Sequence, residues 1–439
     1  MALEATATAV AHAPVRRWAL PTRIAFRFFS VYFGIYVLSS YMLLGLIVPS
    51  VNISDLGSLG PLRRMVEWTA AHVFSVTRPL VVTGSGSGDK LFDWVQAFCF
   101  LVIAAVVTVV WSFVAHRRES HVRLHIWFRL FLRFALGSTL ISYGALKAIP
   151  LQMPYPTLAR LVEPFGHFSP MGVLWSSIGA SRPYEIFTGC AELTAGILLI
   201  IPSTVTLGAL VSLACAIQIF MLNMAYDVPV KLFSFHLLLM SLFLLAPDAR
   251  RLLNALVLNR PVDRSLVPSP GGTARAIRIG VILQMVFGAY LVGMNIRGAL
   301  ESWKQYGGGA AKSPLYGIWN VAYMSIDDVE REPLITDNTR WRRIVFDRST
   351  AVTFQRMDDT FARFGSKIDI ETKSLTLSKR DDPKWTATFS FQQPAADRMV
   401  LQGEMDGKKV QMRLELFPRE RFLLVSRGFN WIQEYPFNQ

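Results

Sequence analysis

Cysteine is scarce in this chain. There are three in 439 residues, Cys99, Cys190 and Cys215, and no two form a CxxC pair, so neither dithiol chemistry nor a disulfide framework is indicated. No HExxH motif and no Ser-His-Asp order occurs. The glycine run Gly84-Ser85-Gly86-Ser87-Gly88-Asp89 lacks the GxxxxGK[ST] spacing of a phosphate loop and reads as a flexible turn. His121 and His125 stand four residues apart in a basic segment, where interfacial histidines are expected, and no second histidine is placed to complete a transmembrane haem ligation. Acidic residues are also few. With 31 against 45 basic ones the net charge is +14, but Lys and Arg sit at the ends of apolar runs, which is the pattern that sets membrane topology, so nucleic acid is not an expected partner. Met1–Pro21 has no apolar core followed by a cleavage site, and no removable signal peptide is expected.

What the chain has is apolar length. Hydrophobic residues make up 52%, with 30 phenylalanines, which points to a polytopic helical membrane protein. Seven runs approach the ~20 residues a spanning helix needs. They are Ile24–Val48, Leu91–Ala115, Phe128–Ile149, Tyr184–Ile201, Val205–Ala225, Leu232–Ala246 and Ile277–Ile296. A further helix is expected at Leu62–Val76, and a short amphipathic one at Pro247–Leu258. The proline-rich connection 150–183 contains Pro170–Gly179, which is apolar but too short to cross; a re-entrant or surface-lying helix is expected there.

Basic residues favour a cytoplasmic N-terminus: Arg16, Arg17, Arg23 and Arg27, then Arg117, Arg118 and Arg123, then Arg250, Arg251, Arg260, Arg264 and Arg275. A bacterial inner membrane is the expected location. After seven spans the C-terminal part would be extracytoplasmic. From Ser313 the pattern changes to alternating segments: Trp341–Phe346, Val352–Gln355, Lys367–Ile370, Leu375–Ser378, Trp385–Phe391, Met399–Gly403, Val410–Leu416 and Phe422–Ser426. Turn signals at Asp381-Asp382-Pro383 and Asp406-Gly407 separate them, so an antiparallel all-β barrel or sandwich is expected. Gly317-Ile318-Trp319 is similar to the GxW that opens lipocalin-like barrels, and equally suits a plain core tryptophan. The expected divisions are 1–23 (tail), 24–118 (two spans and a loop), 119–262 (four-helix membrane domain), 263–312 (the Pro268–Gly272 linker and last span) and 313–439 (β domain).

Charges recur inside the central runs at helical spacing. Arg133, Gly137, Gly144 and Lys147 share one stripe, and Glu185, Gly189, Glu192 and Gly196 share another. Glycines let the two backbones approach, and antiparallel packing brings Lys147 level with Glu185 or Glu192. A lone charge in hydrocarbon costs at least ~2.5–3.5 kcal/mol, so pairing is expected. Asn223, Asp227 and Lys231 lie at the turn joining the next two runs, and His236 lies farther in. Two readings stay open for Lys147, Glu185, Glu192, Asn223, Asp227, Lys231 and His236. One is a polar ligand pocket in the outer half of the bundle. The other is a structural ion pair fixing helix register, beside an interfacial turn.

The order and spacing of several short motifs adds a resemblance. Gly144-x-x-Lys147, Ser169-Pro170-Met171 with Leu174-Trp175, and Tyr184-x-x-Phe187-x-Gly189-x-x-Glu192-x-x-x-Gly196 are followed by Tyr226-Asp227-Val228-Pro229-Val230-Lys231 and Ala246-Pro247-Asp248. Over residues 125–250 the chain resembles the DoxX-like membrane proteins of bacteria. The resemblance implies a four-helix membrane module and, through relatives associated with thiosulfate- or quinone-linked oxidoreductases, a membrane component of a redox system acting with a partner protein. No resident cofactor is evident in the residues; a quinone or small polar ligand is the expected diffusible carrier. The alternative is a non-catalytic, membrane-anchored protein whose β domain binds a lipid, peptide or partner protein.

Overall fold

The computed structural model describes residues 17–47, 60–263 and 273–438. Arg16, Arg264 and the Pro268–Gly272 linker lie outside the described residues. In chain order the helices are α1 (Leu20–Ser39), α2 (Tyr41–Ile47), α3 (Gly60–His72), α4 (Leu91–Val114) and α5 (Val122–Ala148). Then come α6 (Leu158–Val162), α7 (Pro170–Ala180), α8 (Arg182–Ile200), α9 (Val205–Ala225), α10 (Lys231–Leu245), α11 (Ala249–Leu256), α12 (Ala274–Tyr306) and, near the end of the chain, α13 (Leu423–Ser426). Six stretches among the described residues are long and apolar enough to cross a membrane, namely α4, α5, α8, α9, α12 and the stretch Lys231–Leu256 that runs from α10 through α11, and α1–α2 makes a seventh if the pair is one span. That pair breaks at Ser39–Ser40. The Ser39 and Ser40 hydroxyls donate back to the carbonyls of Tyr36 and Val37, 3.2 and 3.3 Å away, which competes with the helical ladder.

The chain separates into two compact units, one of residues 1–149 and 187–299, the other of 150–186 and 300–439. The first is the helical unit. Its core gathers Phe33 and Val37 of α1, Phe100 and Ala104 of α4, Leu132, Leu136 and Leu140 of α5, and Leu237, Met240 and Leu244 of α10. Helices α5 and α8 touch backbone to backbone. A Cβ placed on Gly189 would stand 2.2 Å from the Ala148 nitrogen, and one on Gly144 would stand 2.6 Å from the Leu193 nitrogen. Gly196 meets the Gly137 carbonyl in the same way one to two turns along. The two glycine stripes expected from spacing are therefore the helix–helix contact.

The opposite end of the helices is held by cations on carbonyls. Arg133 donates from Nε to the Leu199 carbonyl at 2.9 Å and from NH2 to that of Ile200 at 3.0 Å, and Arg129 donates to Leu244 at 2.9 Å. Leu199 and Ile200 lie in the last turn of α8 and Leu244 in that of α10, where the helix dipole favours positive charge. Arg27 reaches the His121 Nε2 at 3.1 Å and the Ser112 hydroxyl at 2.8 Å. Burial, then the charges of Arg27, Arg118 and Arg23, hold the His121 imidazole below its ordinary range, which keeps a ring nitrogen free to accept.

The second unit is a closed β-barrel with part of the proline-rich connection packed on it. The strands are β1 (Lys312–Ile326), β2 (Val329–Glu330), β3 (Trp341–Arg348), β4 (Ala351–Arg356), β5 (Phe361–Asp369), β6 (Ser374–Ser378), β7 (Thr386–Ala395), β8 (Arg398–Met405) and β9 (Lys408–Phe417). Strands β1 and β3 to β9 form an antiparallel meander, β2 adds a short hairpin extension to β1, and pairing of β1 with β9 closes the ring. Closure leaves the eight main strands without a free edge. Alternate residues point inward, such as Ala387, Phe389 and Phe391 of β7 and Val410, Met412 and Leu414 of β9, and they fill the interior together with Trp319 and Phe354. Trp319 is a core residue, and its indole N–H donates to the Leu315 carbonyl at 3.0 Å. Asp406 and Gly407 both take positive φ, 52° and 75°, as the tight β8–β9 turn requires.

Two expectations for this unit change. Phe422–Ser426 is not a strand: after Pro418 the chain makes a single turn at Arg419–Arg421 and then α13. With β9 already paired to both β8 and β1, no edge remains for another strand, and Phe422 packs on Phe417 instead. The missing eighth main strand is β1, whose register shifts between Lys312 and Gly317 and so hides the alternation.

The connection's helix α6 belongs to this unit. Thr157 caps it, accepting the Arg160 N–H at 3.3 Å, while the Asp347 carboxylate accepts the Leu158 N–H at 3.1 Å. Leu158, Leu161 and Val162 cover Ile318 and Val345 on the barrel's outer face, and the Val162 carbonyl accepts from the Gln355 amide at 3.2 Å. Ser169 caps α7 in the same manner, with Pro170 at its first position.

Two substitutions test these contacts. Gly189→Ala should lower the stability of the helical unit by about 3 kcal/mol, because backbone rather than side chain stands in the way; thermal unfolding in detergent would show it, and an unchanged midpoint would refute the close contact. Leu158→Asp in the full chain should make the barrel sensitive to limited proteolysis, since it buries a charge against Ile318 and Val345.

Candidate functional site

Lys147 and Glu192 meet at the glycine contact. Gly144, one turn before Lys147, and Gly189, one turn before Glu192, bring the helix axes close enough for the two side chains to pair directly. Both are buried, at 7% and 3% exposure. The ammonium donates to Oε1 of the carboxylate, and Oε2 has no hydrogen-bond partner among the described residues. Tyr143, whose hydroxyl lies 3.1 Å from that of Tyr41, and Cys215 of α9 are both near enough to Glu192 to feel its charge. Removing two ions from water costs several kcal/mol each, which direct pairing offsets only in part.

The other candidates divide into further groups. Asp227 is the left-handed residue that ends α9, with φ 51°, and the Val228 N–H returns to the Asn223 carbonyl at 3.0 Å in a Schellman-type stop. Its side chain is 83% exposed and pairs with Lys231 at 2.8 Å. Asn223 donates to the Ser234 hydroxyl at 3.0 Å and so ties the end of α9 to the start of α10. The residue that organises this turn is Asp89. Its carboxylate accepts the N–H groups of Lys231 and Leu232 at 2.8 and 2.9 Å, capping α10, and stands 3.7 Å from the Lys231 ammonium. The Gly88 N–H bonds the Pro229 carbonyl at 2.8 Å, which anchors the glycine-rich turn to the same place. Sequence reading missed Asp89, since its partners are more than 130 positions away.

His236 forms its own cluster. Its Nδ1 lies 2.7 Å from the Leu232 carbonyl and can only donate there, so Nε2 accepts the Tyr32 hydroxyl, also at 2.7 Å. Tyr36 stacks on the imidazole with ring centres 3.8 Å apart. Tyr32 and Tyr36, four residues apart, lie on one face of α1. Glu185, fully buried in the unit that holds the barrel, accepts the Met153 N–H at 2.9 Å. Among the described residues no cluster of three or more His, Cys, Asp or Glu is placed to hold a metal ion.

Helices of this length, charges paired within them and a closed β-barrel define a polytopic helical membrane protein with a β domain. No family model matches the chain, and no solved structure matches it. Over 145 residues it is 30% identical to the uncharacterized protein YwoB of Bacillus subtilis, a stretch that is 31% of this chain and 83% of that protein. The chain belongs to the family of that protein.

A double-mutant cycle would separate an ion pair that holds the bundle from two independent groups. Lys147→Met and Glu192→Leu should each cost about 3–5 kcal/mol, because each strands a buried charge, and the double variant should cost far less than their sum. Additive losses would show the two residues to be uncoupled.

Proposed function

We propose that this protein is a bacterial inner-membrane component of a quinone-linked redox system, with its N-terminus cytoplasmic and its barrel extracytoplasmic. The observation that carries the reading is Glu192. A buried carboxylate oxygen without a partner among the described residues, held beside an ammonium, is an acceptor set for a ligand hydroxyl. Lys147 supplies the matching donor for a carbonyl oxygen, and Glu192 is the group that takes up or releases a proton. That pairing of donor and acceptor suits the head group of a quinone or a similar small polar molecule. The resemblance of residues 125–250 to DoxX-like proteins supports the same reading, with electrons passing to or from a partner protein.

A second reading rests on a different observation. Beyond the barrel the chain exposes Phe429, Trp431, Ile432 and Tyr435, each more than 75% accessible, as a non-catalytic protein that holds a lipid, peptide or partner protein would.

Purification in mild detergent, with mass spectrometry and absorbance of whatever co-purifies, decides between them. Wild type should carry a quinone or polar metabolite that both Glu192→Gln and Lys147→Met lose. A ligand that survives both substitutions, or only a co-purifying protein, would overturn the redox reading and move the function to the barrel unit.

A further inference from the structure

A second place gathers charge without neutralising it, and it lies wholly within the barrel unit. Tyr155, from the proline-rich connection, is approached by two arginines. The Arg182 guanidinium carbon is 5.6 Å from its ring centre, and that of Arg419, just past β9, is 5.9 Å away. With Ala180 and Pro183 these three residues line a cavity of about 360 Å³. The tyrosine is held in turn, its hydroxyl donating to the Leu424 carbonyl at 3.2 Å.

Neither arginine forms an ion pair among the described residues. The Arg419 Nε is buried and has no hydrogen-bond partner among them. Arg419 lies beside the Tyr316 hydroxyl. Burial first, and then the carboxylates of Asp347 and Glu420, push that phenol above its ordinary range, so it offers Arg419 no counter-charge. Asp347 itself is turned to the Leu158 N–H. Two cations collected at one ring repel each other, and the ring quadrupole returns only about 0.5–2 kcal/mol for each. An anion in the cavity would reverse that balance.

We propose that Tyr155, Arg182 and Arg419 form a phosphate-binding site, taking the phosphate of a lipid headgroup or of a soluble phosphate ester. Guanidinium groups match phosphate with two parallel hydrogen bonds each, a planar fork that lysine lacks. The cavity is larger than a phosphate alone and mixes apolar with polar lining, leaving room for the esterified part. Leu423 and Leu424, each about half exposed and next to the Tyr155 hydroxyl, offer an apolar rim.

The test uses the full chain in detergent, with inorganic phosphate titrated by calorimetry and phosphatidylglycerol retention followed by native mass spectrometry. Binding of inorganic phosphate would assign a soluble ligand, and retention of the lipid alone would assign a headgroup. In either case Arg182→Gln and Arg419→Gln should each weaken binding by about tenfold or more, the equivalent of one charge-assisted hydrogen bond. Arg421→Gln, outside the cavity, should leave it unchanged. If a glutamine variant loses its melting transition, the corresponding lysine variant carries the same comparison, with the charge kept and the fork lost. Failure of both probes to bind, or binding that ignores both arginines, would overturn the site without touching the reading of Glu192.

Discussion

The helical unit depends on one close approach. Where α5 and α8 cross, glycine stands on both sides, and no side chain of any size could replace Gly189 without moving the Ala148 backbone. The approach is what allows an ammonium and a carboxylate from different helices to meet with nothing between them, and the pair in turn penalises any rotation or slip of one helix on the other. Packing and charge are therefore one constraint. Either alone would leave the register loose: small residues pack in several registers, and long charged side chains reach across several turns.

The barrel unit depends on a different constraint, ring closure. Once β1 pairs with both β3 and β9, the interior volume is set and the inward residues must fill it, which Trp319, Phe354 and Phe389 largely do. Closure also decides what happens outside. The chain leaving β9 has no strand to join, so it turns at Arg419 and lays Phe422 on Phe417. The outer face at Ile318 and Val345 would be an exposed apolar patch if α6 did not cover it. A segment that interrupts the membrane helices in sequence is thus an integral layer of the β domain.

Much of this was legible from periodicity, because burial imposes period on sequence. Apolar length marked the spans, alternation marked most strands, and the helical stripes of α5 and α8 marked the contact and brought Lys147 level with Glu185 or Glu192, of which the structure pairs it with Glu192. The failures share a cause. β1 was hidden because a register shift breaks its alternation. Phe422–Ser426 has the composition of a strand but no partner, and pairing is a property of the sheet rather than of the segment. Asp89 and Tyr32 act on residues 142 and 204 positions away, at which range sequence offers no distance to measure.

Membrane-length helices, an all-β domain after them, and the faces on which two of the helices meet all follow from local spacing of apolar, small and charged residues. Which charges serve the structure and which remain open was settled by folding. It turned Arg133 and Arg129 onto the carbonyls of helix ends, Asp227 into a turn and Asp89 into a cap. It left one oxygen of Glu192 and the Nε of Arg419 without a hydrogen-bond partner among the described residues, and it collected two arginines at the ring of Tyr155. The physical reason is that satisfaction of a polar group depends on every neighbour within about 3 Å, and those neighbours come from distant parts of the chain that only folding brings together.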